Sequence, residues 1–381
     1  MKEIVIITTG WFPEGDAGAV RLKMMAKCLT EANFHVTVLC RGKEHDKGTV
    51  EGIDYISLRY KRSRLGKAYD YFTFPARVKR YLKKNADSLH GVYIYNAHIS
   101  VFEFCKSFCS SHGIRLFHDC VEWYSPEEFK NGERNSMYQT KDRINREIID
   151  ESFSIIAISR YLEKYFLSRG INTLRVPILC DPWQRTEPKS KNGEKLTLFY
   201  AGLPGGKDLV GNIMKAALLL EKSERKKIRL VFVGVTRKYL IKGAYVEPEI
   251  IDACSDILEL CGRVPRSEVL RLMEEADFSL LIRNADLRFA KAGFPSKVTE
   301  ALANATPMLC NMSSDLDEYL EDGRNAIIVT SHAPEDIAKA IRHALSLTPE
   351  EKNKMSKNAL ETAKSNFDYR QYTERFYEFF N

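Results

Sequence analysis

Short apolar segments alternate with longer amphipathic segments along most of the chain, and this alternation limits the possible folds more than any other feature. Continuous apolar runs are typical of strands that are buried on both faces. Helical segments between such strands indicate βαβ units and a parallel sheet. In the N-terminal half, the predicted strands are residues 4–9, 35–40, 92–95, 114–118 and 154–158, and residues 20–30 form a predicted helix.

The same alternation restarts in the C-terminal half, after a polar segment that contains Pro and Gly. We therefore predict an N-terminal domain at 1–185, a linker at 186–194 and a C-terminal domain at 195–365. The aromatic segment 366–381 is predicted to be a helix that packs back on the first domain. The strands predicted in the second half are 196–201, 229–233, 278–282, 307–310 and 326–329, and the helices are 209–220, 267–275, 295–302 and 334–347.

The composition is that of a water-soluble protein. No stretch approaches the roughly 20 apolar residues that span a bilayer, and the N-terminus lacks the order of a signal peptide. The nine Cys are scattered without a CxxC pair, which argues against a disulfide framework or a zinc site. These features predict a protein of the cytoplasm.

The net charge of +7 is distributed unevenly. Residues 59–84 contain ten Lys or Arg and one acid, Asp70, with aromatic residues between them. Such a segment suits an anionic surface, whether membrane or nucleic acid, although a solvated helix face is an equally good interpretation. Among partners we predict an anionic membrane surface at the inner face of the membrane, and no nucleic acid.

Loops that follow predicted strands are the places to look for chemistry, because ligands of parallel sheets bind at the carboxyl ends of the strands. In the first half, Gly15 and Gly18 allow a tight turn around Asp16, before a helix N-terminus that favours anions. His118 and Asp119 end a predicted strand, where a His could act as a general acid or base; alternatively, the His caps its own loop. His98 is a weaker candidate in the loop before.

The loops of the second half carry groups suited to a diphosphate. Glycines shape the segment from Gly202 to Gly206, and Lys207 at the predicted helix start can neutralise phosphate oxygens; the alternative, a surface Lys beside an acid, is less favoured by the position of the loop. Ser296 and Lys297 lie at another predicted helix N-terminus, an anion-binding position. Glu300, one turn further, could accept hydrogen bonds from both hydroxyls of a ribose or could be an ordinary helix residue.

These segments, in their order, resemble the GT-B glycosyltransferases and specifically glycosyltransferase family 4. The resemblance covers nearly the whole chain and rests on IVIITTGWFPEGDAGAVR, VPILCDP, AGLPGGKD, LVFVG, ILELCGRVPRSEVLRLMEEADFSLLIR, GFPSKVTEALANATPML and DLDEYLEDGRNAIIV. It implies two doubly wound Rossmann-like domains facing across a cleft. It also implies a retaining, metal-independent transfer from a UDP- or GDP-sugar to a saccharide or lipid-linked acceptor, in polysaccharide synthesis such as capsule or O-antigen.

The resemblance also assigns roles to residues. The implied catalytic groups are His118, Lys207 and Arg283, without a cofactor or metal. The acceptor or cleft loops would supply Gly15, Asp16, Gly18, His98 and Asp119. The donor would be bound by Gly202, Gly206, Lys207, Arg263, Arg283, Ser296, Lys297 and Glu300.

Two departures from the family pattern keep alternatives open. The family has two Glu with seven residues between them, and here Ala292 occupies the first of these positions. The family often has an Arg where this chain has Leu203, so Arg283, Arg288 or Lys291 would have to supply that charge. The alternatives are a nucleotide-sugar epimerase of the same architecture and a catalytically impaired nucleotide-sugar-binding relative. The Asp-x-Asp segment formed by Asp315 and Asp317 is interpreted as a helix N-terminus and not as a metal site.

Overall fold

A computed structural model describes residues 1–44, 46–60, 63–184 and 194–381, which form two compact units, each built on one sheet. The described strands are β1 Lys2–Trp11, β2 Phe34–Arg41, β3 Lys47–Val50, β4 Ile53–Arg59, β5 Leu89–Asn96, β6 Arg115–Cys120, β7 Ser154–Ala157, β8 Thr173–Arg175, β9 Leu196–Ala201, β10 Ile228–Val233, β11 Leu258–Gly262, β12 Phe278–Leu281, β13 Met308–Asn311 and β14 Ala326–Val329. The described α-helices are α1 Ala17–Glu31, α2 Arg64–Lys84, α3 Ile99–His112, α4 Ser136–Arg143, α5 Arg160–Leu167, α6 Val210–Leu218, α7 Lys222–Arg225, α8 Arg237–Gly243, α9 Pro248–Ala253, α10 Arg266–Glu275, α11 Arg288–Ala292, α12 Ser296–Ala303, α13 Pro334–Ser346, α14 Pro349–Asn366 and α15 Thr373–Phe380.

Unit 1 comprises Met1–Leu179, Ala292–Phe294 and Asp368–Asn381. Its strands lie in the order β3-β4-β2-β1-β5-β6-β7-β8, and all neighbours are parallel except the β3–β4 pair. The central strands are almost fully buried, as their continuous apolar runs predict. β3, β4 and β8 were not among the predicted strands, because their polar and partly exposed residues interrupt the apolar pattern.

Unit 2 comprises Cys180–Lys291 and Pro295–Phe367. Its parallel sheet has the order β11-β10-β9-β12-β13-β14, which is the Rossmann order in which the first strand of the unit lies at the switch point between β10 and β12. All five strands predicted in this half are present, two of them with the predicted bounds. β11 was missed because it is a half-exposed edge strand.

The C-terminal aromatic segment belongs to unit 1. A 3-10 turn at Tyr369–Tyr372 precedes α15, and the ring of Phe380 stacks on that of Phe117 in the first sheet at 4.1 Å between centroids. Aromatic burial of this kind gives a short helix a surface to cover.

Two sequence predictions concern membrane and linker segments. No described helix is long and apolar enough to cross a bilayer. The predicted linker at 186–194 lies, apart from Glu194, outside the described residues, and the described units divide between Leu179 and Cys180.

Candidate functional site

A buried cluster of charged groups occupies the carboxyl edge of the second sheet. Its centre is the Asp208 carboxylate, which is 4% exposed. The Nε of Arg283 donates to Oδ1 at 2.7 Å, and the Nζ of Lys297 donates to Oδ2 at 2.8 Å. The hydroxyl of Tyr200 also donates to Oδ2, at 2.8 Å. With one carboxylate between two cations, the cluster keeps a net positive charge.

Three strand ends and one helix start hold this cluster in place. Arg283 follows β12, and its backbone N–H and C=O form a reciprocal pair of 2.8 Å hydrogen bonds with the side-chain amide of Asn311 at the end of β13. Lys297 lies in the first turn of α12 and passes over Gly202. A Cβ at Gly202 would lie 3.1 Å from the Cε of Lys297, and its φ of +119° is one that side chains rarely adopt. The chain therefore needs glycine here to let the ammonium reach Asp208.

The electrostatics of the cluster keep Asp208 ionised. Burial by itself would raise the pKa of this carboxyl, but Arg283 and Lys297 outweigh burial and lower the pKa from 3.8 to about 2. Burial, and next the Asp208 charge, raise the pKa of Tyr200. At neutral pH, Asp208 thus orients the two cations, and Tyr200 stays a neutral donor.

We expect Asp208→Asn to change the acid dependence of stability. The lowered folded-state pKa of Asp208 adds stability above about pH 4, and this is lost as the pH falls through about 2. The parent should therefore exceed the variant by about 2 kcal/mol at pH 5, and the gap should shrink toward pH 2. Urea unfolding at several pH values measures this. A gap that stays constant over this range would contradict the assignment.

The glycine loop after β9 brings Lys207 beside the cluster. Residues 204–208 form a tight turn in which the N–H groups of Lys207 and Asp208 donate to the carbonyl of Pro204. α6 begins only at Val210, so the predicted position of Lys207 at a helix start is wrong: the turn and the bridge between Asp208 and Arg283 fix this segment before the helix begins. The Nζ of Lys207 lies 5.4 Å from the centre of the Phe289 ring.

The start of α12 and the loop after β11 carry the other predicted donor residues. Ser296 is the first residue of α12, after Pro295, which supplies no side-chain cap to the helix N–H groups. Glu300 accepts a 2.7 Å hydrogen bond from Arg266, with side chains 30% and 60% exposed, so this ion pair is open to solvent. Arg263 is exposed in the loop after β11, whereas Gly206 is exposed in the glycine loop.

In unit 1, the predicted glycine loop borders a pocket of about 350 Å³. Asp16 caps α1 by accepting hydrogen bonds from the N–H groups of Gly18 and Ala19. A Cβ at Gly15 would lie 2.7 Å from the Cβ of Trp11, so glycine is required there. The pocket is lined by Thr8, Gly10, Trp11, Asp16, Ala17, Gly18, Ala19, Leu22, Tyr95 and Asn96.

His118 and Asp119 do not lie in a loop. β6 continues to Cys120, and both side chains are fully buried. His118 Nδ1 contacts the Ile94 carbonyl at 2.8 Å and its ring packs edge-on against Phe102; burial, and next the charge of Lys141, lower its pKa to about 3. The predicted exposure of His118 at a strand end is therefore wrong, since the apolar strand extends two residues further.

Asp119 likewise lies within β6 and not in the predicted loop, and its carboxylate is part of a buried ion pair. Its carboxylate forms a two-point ion pair with the Arg21 guanidinium at 2.7 and 2.8 Å and accepts from the hydroxyl of Tyr93 at 2.8 Å. All three side chains are essentially unexposed. This ion pair links α1 to β6 in the buried interior of unit 1.

Three further positions that the sequence singled out are His98, Ala292 and Asp315. His98 is the N-cap residue of α3, where its side chain makes no capping bond, and its ring lies against Tyr71. Ala292 is fully buried, and its carbonyl oxygen accepts a 2.8 Å hydrogen bond from Ser159 within unit 1. Asp315 precedes a 3-10 turn at Leu316–Glu318, as its helix-start interpretation predicts.

Sequence reasoning did not select Asp208, Tyr200 or Asn311. In the sequence, the only indication of a role for Asp208 is that it directly follows the candidate residue Lys207. Its partners are 75 and 89 residues away in the chain, so only folding brings them together. The same holds for Arg21, whose partner is 98 residues away.

One protein family and one relative that match this chain are both described as glycosyltransferases. Residues 182–362 match the family described as glycosyl transferases group 1. An uncharacterized glycosyltransferase of Methanocaldococcus jannaschii is 23% identical over 270 residues, which are 66% of this chain and 64% of that protein, so the match spans somewhat less than two thirds of the relative's length.

Two solved structures match nearly the full length. The sucrose-phosphate synthase of Thermosynechococcus elongatus is 14% identical with a TM-score of 0.77, over 99% of this chain and 98% of that chain. Anabaena HepE, solved in complex with UDP and glucose, is 14% identical with a TM-score of 0.71, over 99% of both chains. At these identities the structures establish the fold, two Rossmann-like sheets, as the sequence predicts.

Proposed function

We propose that the chain is a GT-B glycosyltransferase that transfers a sugar from a UDP- or GDP-sugar to a saccharide or lipid-linked acceptor, since residues 182–362 match the group 1 glycosyl transferases and the fold has two Rossmann-like sheets. The observation that carries the proposal is the positive cluster of Arg283 and Lys297 around Asp208, beside a glycine loop and a helix N-terminus. We place the reaction in polysaccharide synthesis and expect retention at the anomeric carbon.

The cluster suits the diphosphate of such a donor. Glycines at 202, 205 and 206 let a ligand approach the backbone, and the uncapped start of α12 offers N–H groups to phosphate oxygens. Arg283 uses its Nε for Asp208, which leaves its terminal nitrogens for a ligand. HepE, a protein of the same fold, was solved with UDP.

In the proposed reaction, the bond between the anomeric carbon and the diphosphate oxygen breaks while the acceptor oxygen bonds to that carbon. Negative charge then develops on the leaving diphosphate. Arg283, Lys297 and Lys207 stabilise it from fixed positions, which costs no reorganisation at the moment of reaction. In this proposal the cations of the protein perform the charge stabilisation without a metal ion.

Glu300 is the proposed partner of the donor ribose. Its carboxylate lies one turn from the start of α12, and its one partner among the described residues is Arg266, in a solvent-open ion pair worth about 1 kcal/mol or less. Two ribose hydroxyls can therefore displace or share this contact. Ser296 and Lys297 would lie on the phosphate side of the same ligand.

We expect Glu300→Ala to weaken UDP binding about 10- to 100-fold while the fold is kept, because two hydrogen bonds to a charged acceptor are lost. Thermal shift with UDP and with GDP measures this, since a ligand at 100 times its Kd stabilises by about 2.7 kcal/mol. Glu268→Ala, which removes a Glu paired with Arg271 on α10, is the matched control. If neither nucleotide stabilises the parent, the donor proposal is wrong. If Glu300→Ala binds UDP with the affinity of the parent, Glu300 does not contact the donor.

A second proposal is that α2 docks on an anionic membrane. Leu65 and Phe72 are 86% and 76% exposed, and Tyr69 is 53% exposed, although large apolar side chains normally avoid water. Exposed basic side chains, among them Arg80, lie on the same helix. Apolar and basic residues together favour the interface of an anionic bilayer.

We expect the parent to co-sediment with phosphatidylglycerol vesicles, more weakly as salt rises, and not with phosphatidylcholine alone. Leu65→Ser/Phe72→Ser should reduce this binding about 100-fold or more, because each apolar side chain buried in the interface contributes roughly 1.5–3 kcal/mol and 1.4 kcal/mol corresponds to a factor of about ten. Leu167→Ser, at a side chain 52% exposed on α5, is the control. Binding that ignores lipid charge would refute the proposal.

A further inference from the structure

Three basic side chains that the proposed function does not use lie at the carboxyl edge of the first sheet. Arg41 and Arg59 end the neighbouring strands β2 and β4, and they are paired in register, as are Trp11 and Arg41 on β1 and β2. On the other side of β1, Asn96 ends β5 in register with Thr8, and His98 follows two residues later.

The side chains at this edge contact one another through aromatic rings. The Arg59 guanidinium lies 5.8 Å from the centre of the Tyr71 ring, and the His98 ring centre lies 3.9 Å from that of Tyr71. The Arg41 guanidinium lies 4.3 Å from the centre of the Trp11 ring. Burial, and next the charge of Arg41, lower the pKa of Arg59, and burial and Arg59 together lower that of His98.

Part of this basic edge lacks hydrogen-bond partners. Arg59 donates from one Nη to the Thr9 carbonyl, but its Nε is buried without a partner among the described residues, and so is the Nε2 of His98. The nearby carboxylate of Asp70 accepts from the N–H of Tyr60 and pairs with Arg77. Among the described residues, neither Arg41 nor Arg59 forms an ion pair with a carboxylate, although the charge of Asp70 acts on Arg59.

A buried donor without a partner is unfavourable, so two such donors at one place indicate a missing acceptor. The pocket of about 350 Å³ is lined in part by Trp11, whose ring lies under the Arg41 guanidinium, and by Asn96, two residues before His98. We propose that Arg41, Arg59 and His98 bind a phosphate group carried by the acceptor. A phosphate dianion matches two guanidiniums in charge, and its oxygens accept charge-assisted hydrogen bonds.

The identification of this ligand as the acceptor rests on the proposed function, but the binding test does not need turnover. With UDP at saturation to fill a donor site, inorganic phosphate is titrated into the parent by calorimetry. We expect saturable binding that weakens at least about 10-fold in Arg59→Gln and in Arg41→Gln, since each loses a charge-assisted hydrogen bond. The phosphate affinity of Arg59→Lys should be intermediate, because Lys keeps the positive charge but lacks the planar, two-pronged donor group of a guanidinium.

Lys164→Gln, an exposed cation on α5 in the same unit, should bind phosphate as the parent does. Arg59 donates to the Thr9 carbonyl, so Arg59→Gln could disturb the strand end. The Arg41 guanidinium makes no hydrogen bond to the described backbone, so Arg41→Gln tests the site without that disturbance. A parent without saturable phosphate binding, or Arg41 and Arg59 variants with parental affinity, would overturn the proposal. Loss of UDP binding alone would overturn only the donor proposal.

The source of the phosphate is decided with phosphatidylcholine vesicles that contain phosphatidic acid. If the acceptor phosphate belongs to a lipid, vesicle binding falls in Arg59→Gln and free phosphate competes with it. If it belongs to a soluble saccharide, vesicle binding is the same in both proteins while phosphate affinity still differs. Either result supports a phosphate site, whereas no difference in both assays refutes it.

Discussion

Arg283→Gln should lower kcat by about 10²- to 10³-fold, which is the effect of removing one fixed donor from a developing negative charge. Arg283 is held by Asp208 through Nε and by Asn311 through its backbone, so its terminal nitrogens are preorganised. The substitution leaves Asp208 paired with Lys297 and Tyr200, and the fold should therefore survive.

Steady-state kinetics with a UDP- or GDP-sugar measure this effect, and kcat should fall more than the affinity for UDP, because the charge is largest in the transition state. Arg283→Lys should recover part of kcat, since it restores the charge without the fork. Arg229→Gln, which breaks an exposed ion pair with Glu259 in the same unit, is the control and should keep the parental rate. Parental kcat in Arg283→Gln would remove Arg283 from the site.

Asp119→Ala should lower the free energy of unfolding of unit 1 by about 3–5 kcal/mol. The substitution leaves the Arg21 guanidinium, which is 1% exposed, buried without its carboxylate, and it removes the acceptor of the Tyr93 hydroxyl. That loss is a large part of the roughly 5–15 kcal/mol by which a domain is stable.

Urea unfolding followed by tryptophan fluorescence reports this change, because Trp11 and Trp123 lie in unit 1 and only Trp183 lies in unit 2. Glu103→Ala, which breaks the exposed pair with Arg143 in the same unit, should cost about 1 kcal/mol or less. Arg21→Met/Asp119→Leu should be clearly more stable than Asp119→Ala, since it buries no lone charge. A loss no larger than that of the control would show that the buried pair is not required.

The corrected position of His118 shows where the sequence pattern failed. Residues 114–118 suggested a strand with a polar end, but His118 and Asp119 are part of the strand because each finds a buried partner, the Ile94 carbonyl and the Arg21 guanidinium. A polar residue at the end of an apolar run marks a strand end only when nothing in the interior satisfies it.

The sequence by itself determined the fold class and pointed to the loops that carry the candidate site. Apolar runs and glycines are local features, and they predicted the ten strands at 4–9 through 326–329 and the segments that hold Lys297 and Arg283. Only the tertiary structure decided which charges meet: Asp208 with Arg283 and Lys297, Asp119 with Arg21, and Arg41 beside Arg59. The reason is that Coulomb and hydrogen-bond energies depend on distances of a few ångströms, and those distances are set by sheet order and strand register between residues far apart in the chain.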